Sequence, residues 1–150
     1  MKDERPDTPA ELRARALRLL ARREHTRREL EGKLSPHAGS SEELQTLIAG
    51  LKQKNHLSEE RFAEERARRL SRKYGAARIR RDLKARGVAP ELVARVSADG
   101  DLERARAILE RKYRSPATTR EEKAKRMRFL QSRGFSSAVI FTLLSARDAA

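Results

Sequence analysis

The chain has 150 residues, of which 39% are charged, 37% hydrophobic and 4% aromatic, so it suits a domain-sized protein with a thin apolar core. Its 36 lysines and arginines against 22 acids give a net charge of +14, and a polyanion is the natural partner of such a chain. The absence of cysteine excludes a disulfide framework, a thiolate zinc site and a cysteine nucleophile.

The residue types favour helices throughout, because alanine, leucine, glutamate, lysine and arginine dominate and β-branched residues are scarce. No apolar run is long enough to cross a membrane, and the charged N-terminal segment lacks the apolar stretch of a signal peptide. We therefore expect a soluble, cytoplasmic protein that does not bind membranes, with a flexible arm over residues 1–8.

Capping residues mark the first predicted helices. Thr8, with Glu11 three residues later, forms a capping box. Thr26 is predicted to cap a second helix and Ser40 a third, with a loop over residues 35–40 between them. Apolar residues recur at helical spacing along these helices: Leu12, Ala16, Leu19, Leu20, Leu30, Leu34, Leu44, Leu47, Ile48 and Leu51.

The next segment has the same plan. Ser58 is predicted to cap a helix, and the turn at Tyr74–Gly75 begins another. Gly87 ends that helix and Pro90 opens a short third one. Three further helices are therefore predicted between Ser58 and residue 98.

The last segment begins at Asp99–Gly100–Asp101, which starts a helix that the Ser115–Pro116 stretch ends. Thr118 with Glu121 is predicted to cap the following helix. Gly134 then stops that helix, and Ser136 caps the last one. Gly75, Gly87 and Gly134 are all interpreted as chain reversals.

Two short motifs recur along the chain. Leu70–Tyr74 (LSRKY) matches Leu109–Tyr113 (LERKY) thirty-nine positions on, and Leu20–Glu24 (LARRE) is a weaker copy. Arg86–Ala89 (RGVA) also matches Arg133–Ser136 (RGFS), forty-seven positions on. A period in the forties is typical of helical repeats that bury their apolar faces against their neighbours.

These patterns predict an all-α protein of three tandem three-helix repeats. The repeats cover residues 9–55, 57–98 and 99–148. Stacked repeats of this kind form an elongated, curved array, right-handed or crescent-like in shape.

No residues of the chain form a catalytic constellation. His25, His37 and His56 lie on separate turns, there is no His-Glu-x-x-His pair, and no glycine-rich loop follows a strand. Paired acids such as Glu59–Glu60 stand in the first turn of a helix, where they oppose the positive end of its dipole. We therefore expect neither enzymatic activity, nor a metal site, nor a cofactor.

The most basic segment runs from Arg61 to Arg86, with eleven basic and three acidic residues. At helical spacing its cations fall on the sides opposite the apolar residues, so its two helices could share one basic surface. The simpler alternatives are two separate solvated faces, or a charge that only keeps the protein soluble. The candidate binding surface comprises Arg61, Arg68, Arg72, Lys73, Tyr74, Arg78, Arg80, Arg81, Lys84 and Arg86.

Aromatic residues stand at the helix junctions of this basic protein. Tyr74, Tyr113 and Phe135 occupy such positions. Rings in basic surroundings can stack on nucleic-acid bases. They can equally pack the junction closed, and their recurrence at the same place in each repeat favours packing.

Several segments of the chain resemble the RecX family, bacterial regulatory proteins that bind RecA. The most specific is Arg72–Arg80 (RKYGAARIR), and Ala16–His25, Leu57–Phe62 and Phe129–Phe135 also match. The resemblance extends from about residue 10 to residue 145. One departure is Asn55–Ser58 (NHLS), where the family usually has Gly-Tyr-Leu-Asp, so the contacts of that tyrosine and aspartate do not carry over.

The resemblance implies a monomeric negative regulator with the three-repeat crescent fold. Such a protein lies in the groove of the RecA filament on single- or double-stranded DNA, without sequence specificity. There it limits filament extension and reduces ATP hydrolysis, strand exchange and co-protease activity in DNA repair and the SOS response. The family has no catalytic signature, so its residues carry over as a surface.

Two other functions fit the residues. One is a sequence-nonspecific DNA- or RNA-binding protein that acts without RecA. The other is a helix-turn-helix operator reader, which needs polar residues grouped on one helix to contact base edges. Gln45, Gln53, Asn55 and Gln131 are too dispersed for that role.

Overall fold

The computed structural model describes residues 5–148, and all regular structure in this range is helical. It contains nine α-helices and one short 3-10 helix, which confirms the all-α prediction for this part of the chain. The helices are α1 (Pro9–Arg22), α2 (Arg27–Leu34), α3 (Ser41–Gln53), α4 (Glu59–Leu70), α5 (Ala76–Ala85), α6 (Pro90–Val93), α7 (Asp101–Lys112), α8 (Arg120–Ser132) and α9 (Ser137–Asp148).

The chain divides into two compact units. Unit 1 contains the described residues up to Glu64 together with Arg86–Ala89, and unit 2 contains Glu65–Ala85 together with the described residues from Pro90 onward. The three predicted repeats at 9–55, 57–98 and 99–148 remain a prediction, as does the curved array.

Unit 1 has a leucine-rich core in which α1, α2 and α3 pack together. The apolar residues at helical spacing turn one face of each helix inward, as the periodicity predicts. Its buried members are Leu12, Ala16, Leu30, Leu34, Leu44, Ile48, Leu51 and Leu57, with Leu17, Leu19, Leu20, Ala38 and Leu47 partly buried against them.

The predicted caps of unit 1 are confirmed. The Thr8 hydroxyl accepts from the Glu11 N–H while the Glu11 carboxylate accepts from the Thr8 N–H, which completes the capping box. The side chains of Thr26 and Ser40 each accept an N–H from the residue three positions later. The caps satisfy N–H groups that a helix N-terminus leaves without intrahelical partners.

Two predictions for unit 1 need comment. One loop contains a short helix, and part of the predicted N-terminal arm lies outside the described residues. The loop expected over residues 35–40 begins with a 3-10 helix at Ser35–His37, in which the Ala38 N–H donates to the Leu34 and Ser35 carbonyl oxygens. Of the arm predicted over residues 1–8, residues 1–4 lie outside the described range. The Asp7 N–H donates to the His37 carbonyl oxygen at 2.8 Å.

Unit 2 has its own apolar core, formed by α7, α8 and α9. Its buried residues are Ala105, Ile108, Leu109, Leu130, Phe135, Ile140 and Leu143. At the start of α7, the buried Asp101 carboxylate accepts from the Ala76 N–H at 3.3 Å and pairs with Arg104. Because Ala76 is the first residue of α5, this carboxylate ties the beginning of α5 to the beginning of α7.

The cap of α8 is displaced by one residue from the prediction of Thr118 with Glu121. The Thr119 side chain accepts from the Glu122 N–H, so Thr119 is the N-cap. Thr118 instead donates its own N–H to the Glu122 carboxylate at 2.8 Å. Both threonines precede a glutamate by three residues, and the Glu122 carboxylate selects the later register because it satisfies the Thr118 N–H.

Gly75 and Gly134 lie in direct backbone contact within unit 2. The Gly75 N–H donates to the Arg133 carbonyl oxygen at 2.8 Å. A Cβ on Gly75 would lie 2.6 Å from the Gly134 carbonyl oxygen, and a Cβ on Gly134 would lie 2.4 Å from the Arg78 Cβ. Gly134 also has φ +90°, whereas Gly75 has no positive φ. Gly75 is therefore required by close approach and not by its own backbone conformation.

The Gly75→Ala variant should lower the free energy of unfolding by about 1–3 kcal/mol, because the added methyl group overpacks a backbone contact. Gly32→Ala is the matched control, since a Cβ on that α2 residue meets nothing within 4 Å. The control should be stabilised by about 0.5–1 kcal/mol through helix propensity. Urea unfolding of both variants measures the difference, and equal stabilities would contradict the proposed contact.

His25 is buried in unit 1, with 1% of its surface exposed. Its Nδ1 lies 3.0 Å from the Arg23 carbonyl oxygen and its Nε2 lies 3.1 Å from Lys33 Nζ. A neutral ring that donates through Nδ1 and accepts at Nε2 satisfies both contacts. Burial lowers the pKa of His25 below its ordinary value because it disfavours the charged form.

This burial predicts a loss of stability in mild acid. The unfolded ring keeps its ordinary pKa of about 6.5, so the unfolded state binds more protons below that pH. The free energy of unfolding should therefore be highest above about pH 7 and fall as the pH drops through about 6.5. Urea unfolding at about pH 7.5 and 5.5 should show the fall in the wild type and in the exposed-site control His56→Gln, and a smaller fall in His25→Gln. A wild type equally stable at both pH values would contradict the prediction.

Candidate nucleic-acid interface

The ten predicted surface residues lie in both units, and their side chains have different contacts. Arg61 and Arg86 belong to unit 1, and the other eight belong to unit 2. Some of the side chains bind the protein's own backbone, and others lie exposed to solvent. Among the predicted residues, the exposed cations of unit 2 are Arg68, Arg72, Lys73, Arg81 and Lys84.

Arg61 holds unit 1 together. Its Nε lies 2.9 Å from a carboxylate oxygen of Glu24, and its Nη2 donates to the Asn55 carbonyl oxygen at 2.6 Å. The guanidinium thus joins the turn before α2 to the turn before α4. The donors on Nε and Nη2 are therefore occupied within the unit, so this edge of the guanidinium cannot bind an external anion.

Arg80 and Arg78 have comparable internal roles in unit 2. Arg80 donates from Nε and Nη2 to the Val96 carbonyl oxygen, with the Nε contact at 2.9 Å. Arg78 donates to the Ser132 carbonyl oxygen at 2.7 Å and lies over the Tyr74 ring at 4.0 Å. Both cations position the backbone around them.

The repeated Arg-Lys-Tyr segments meet across a groove in unit 2. Arg72 and Lys73 follow the end of α4, and Arg111 and Lys112 end α7. Arg111 Nη2 donates to the Arg72 carbonyl oxygen at 2.6 Å, which joins the two segments directly. The groove has a volume of about 580 Å³ and is lined by Arg72, Lys73, Tyr74, Ile108, Arg111, Lys112, Phe129 and Arg133.

Sequence reasoning placed three of these lining residues on the candidate surface and missed Arg111, Lys112, Phe129 and Arg133. The LSRKY and LERKY match was the signal that could have found two of them, because it assigns Arg111 and Lys112 to the same place as Arg72 and Lys73. Nothing in the sequence indicates that the two copies face each other.

Aromatic rings and cations alternate along this groove. The Tyr74 ring lies under Arg78 and 5.4 Å from the Arg133 guanidinium. The Phe129 ring lies 5.1 Å from Arg133 and 4.1 Å from Lys112 Nζ. We call Arg78, Tyr74, Arg133, Phe129 and Lys112 the cation–aromatic ladder. Its contacts hold the cations by the attraction of a positive charge to the ring face.

Two further residues continue the ladder behind Phe129. The Tyr113 ring packs edge-on against Phe129 with the centroids 6.2 Å apart. The guanidinium of Arg126, a residue that is 6% exposed, lies 4.4 Å from the Tyr113 centroid. Phe135 is 5% exposed and belongs to the apolar core of unit 2, which agrees with the packing interpretation for that ring.

The described residues contain no group of three histidine, cysteine, aspartate or glutamate side chains that could hold a metal ion. Among residues 5–148, no helix is both long enough and apolar enough to span a membrane. The groove itself carries cations and rings without a paired acid or a nucleophile.

Family models match the chain over two of its three-helix segments. The model for RecX, second three-helix domain, matches residues 58–96, and the model for RecX, third three-helix domain, matches residues 99–144. The chain belongs to the RecX family. The groove lies among residues of both matched segments, at the ends of α4 and α7 and on α8.

Curated RecX relatives match most of the chain. The regulatory protein RecX of Ralstonia nicotianae is 40% identical over 96% of this chain and 92% of its own length. That of Herbaspirillum seropedicae is 43% identical over 87% of each chain. The RecX crystal structure from Lactobacillus salivarius has a TM-score of 0.83 over 95% of this chain and 97% of its own, at 20% identity. These relatives support a RecX-type regulatory role, and the solved structure supports the fold.

Arg80→Gln should lower the free energy of unfolding by about 1–3 kcal/mol, because it removes a charge-assisted hydrogen-bonding group from the Val96 carbonyl. The neighbouring Arg81→Gln should change it by less than about 0.5 kcal/mol, since Arg81 is exposed. Urea unfolding at one pH and salt concentration compares the two variants. Equal effects would show that Arg80 has no special structural role.

Proposed function

We propose that this RecX-family chain is a negative regulator of the RecA recombinase. It binds within the groove of the RecA–DNA filament, limits filament extension and lowers ATP hydrolysis, strand exchange and co-protease activity during DNA repair and the SOS response. It acts as a monomer by stoichiometric binding, with no catalytic step and no cofactor. The RecA filament and DNA, single- or double-stranded, are its partners.

The observation that carries this proposal is the basic groove of unit 2 in a chain of the RecX family. The groove gathers Arg72, Lys73, Arg111, Lys112 and Arg133 around one depression. Guanidinium groups match the geometry of phosphate oxygens. A DNA-bound filament offers such phosphates in a regular array, and the net charge of +14 steers the protein toward that polyanion.

The exposed cations of α4 and α5 belong to the same proposal. Arg68, Arg81 and Lys84 lie outside the groove lining, so we assign them to contacts with phosphates or with acidic RecA side chains. The three-repeat arrangement would supply the length for contacts with neighbouring RecA protomers. Arg61, Arg78 and Arg80 then support the surface by holding the backbone and not by touching the partner.

The same basic groove favours a second candidate function, sequence-nonspecific nucleic-acid binding without RecA. A cationic groove binds phosphates whether or not a recombinase coats the strand. The two functions differ in stoichiometry, because a protein that only competes for DNA must cover the strand to displace RecA. A protein that docks in the filament acts when it is much scarcer than RecA.

RecA's ATP hydrolysis on single-stranded DNA should fall when the protein is added at less than one molecule per several RecA protomers. A bound regulator that blocks extension affects all protomers that would have joined the filament beyond it. Binding of the protein to the same DNA without RecA, measured in the same buffer, is the control. If hydrolysis falls only at concentrations that coat the DNA, competition for the strand explains the effect, and the filament-docking function is wrong.

A further inference from the structure

Unit 1 pairs three of its junction arginines with its own carboxylates. The three lie around the turn between α1 and α2 and at the beginning of α4. The pairs and their nitrogen–oxygen distances are Arg23–Glu29 at 2.7 Å, Arg27–Glu31 at 2.8 Å and Arg61–Glu24 at 2.9 Å. Their charges are therefore largely compensated before any partner arrives.

The groove cations of unit 2 have no carboxylate partners among the described residues. In the repeated motif, the place of Glu24 in LARRE is taken by Tyr74 in LSRKY and by Tyr113 in LERKY. Within residues 5–148, none of the groove cations Arg72, Lys73, Arg111, Lys112 and Arg133 forms an ion pair with an acid. Glu24 pairs with Arg61 in unit 1, and the tyrosines at the same place in the motif supply no carboxylate to the groove of unit 2, so the groove cations keep their charge available for an external anion.

The faces of the groove's rings are already in contact with cations. A base stacking on Tyr74 would have to displace the Arg78 guanidinium, which lies 4.0 Å from the ring centroid and is also bonded to the Ser132 carbonyl oxygen. A base on Phe129 would have to displace Lys112, whose Nζ lies 4.1 Å from that ring. The rings therefore orient cations and are poor platforms for bases.

A buried cation behind the ladder adds to the positive potential. Arg126 is 6% exposed, and its Nε and Nη1 are buried without a hydrogen-bond partner among the described residues. Its guanidinium contacts Tyr113, which in turn packs against Phe129. A buried charge with unsatisfied donors is costly, and a polyanion bound in the nearby groove offsets part of that cost.

We propose that the groove of unit 2 binds the sugar–phosphate backbone of a single nucleic-acid strand and does not stack its bases. Arg72, Lys73 and Lys112 contact the phosphates. Arg111, which is exposed, adds the donors that its bond to the Arg72 carbonyl oxygen leaves, and Tyr74 and Phe129 position the neighbouring cations. The inference deepens the proposed function and rests on it for the presence of nucleic acid. It also assigns the phosphate contacts to unit 2 and not to the junction of unit 1, where Arg23, Arg27 and Arg61 are paired with glutamates.

A nucleic-acid strand suits this groove better than an acidic peptide or a duplex. Each nucleotide brings one charge, and the oxygens of a phosphate accept the paired donors of a guanidinium. Several unpaired cations around one small depression therefore match consecutive phosphates. A single strand can bend into a concave site, whereas a duplex of about 50 nm persistence length is too stiff to follow it.

The first test measures binding of a fluorescent oligo(dT) by anisotropy at several salt concentrations. Arg72→Gln/Lys73→Gln should weaken binding roughly tenfold and reduce the slope of log affinity against log salt by about 1.4, since each lost phosphate contact on a single strand removes about 0.7. Arg120→Gln/Lys125→Gln is the charge-matched control, because it also removes one arginine and one lysine, both exposed and outside the groove lining.

The control pair should weaken binding less than about threefold, through the general loss of charge. All four side chains are exposed, so both variants should keep the wild-type circular dichroism spectrum and unfolding midpoint. Adding Lys112→Gln to the groove variant should weaken binding further. Equal losses for the groove pair and the control pair would overturn the assignment to the groove.

The second test separates phosphate recognition from base stacking and from simple charge. An abasic deoxyribose-phosphate strand of the same length should bind within about twofold of oligo(dT). If it binds about fivefold to 150-fold more weakly, stacking worth roughly 1–3 kcal/mol per base is present, and the backbone-only proposal is wrong. Polyglutamate of equal charge should compete poorly, and equal competition would overturn the preference for phosphate.

The two proposals can fail separately. If the groove variant binds oligo(dT) as well as the control variant does, the proposal that the groove binds phosphates is wrong. The RecA assay with wild-type protein still tests filament docking. Conversely, a wild-type protein that binds oligo(dT) through the groove but does not suppress RecA's ATP hydrolysis at low ratio keeps the groove and refutes filament docking.

Discussion

The hydrogen bond from the Gly75 N–H to the Arg133 carbonyl oxygen, 2.8 Å long, determines where the groove of unit 2 can form. It brings the turn before α5 against the turn after α8, at a backbone separation that only glycine permits at positions 75 and 134. The Tyr74 ring, one residue earlier, thereby lies near the Arg133 guanidinium. Apolar burial stabilises the helices around this contact. The contact itself requires glycine at positions 75 and 134, because a Cβ at either position would overlap neighbouring atoms.

The two units differ in charge content as well as in charge compensation, because unit 1 has 14 basic and 12 acidic residues whereas unit 2 has 22 basic and 10 acidic residues. In unit 1, carboxylates such as Glu24 and Glu29 hold the junction arginines, and the guanidinium groups serve the fold. In unit 2, tyrosine replaces the glutamate, and a ring can hold a cation without cancelling its charge. Most of the net charge of +14 therefore lies in unit 2, and the ion pairs of unit 1 reduce further the positive charge that unit 1 offers to a polyanion.

Many features of the sequence predicted local structure correctly because their causes are local. Caps at Thr8, Thr26 and Ser40 depend on a side chain and an N–H three residues apart, and leucines at helical spacing need only the 3.6-residue period. The α8 cap was predicted one residue early because Thr118 and Thr119 both precede a glutamate by three residues. The Thr118 contact with Glu122 chose between them. The basic segment 61–86 was similarly visible as charge, but its members divide between internal contacts and exposure.

By itself, the sequence determined that the chain is helical, that its motifs repeat with a period in the forties, and that its strongest resemblance is to the RecX family. Period, propensity and motif identity are properties of residues close together in the chain. Only the tertiary structure decided that Arg111 and Lys112 face Arg72 and Lys73, that Arg61 and Arg80 bind backbone carbonyls, and that ring faces are covered by cations. The contacts of Arg80 with Val96, of Arg111 with Arg72 and of Arg133 with Tyr74 join residues 16 to 59 positions apart. Helical spacing carries no information about which distant group a guanidinium will contact.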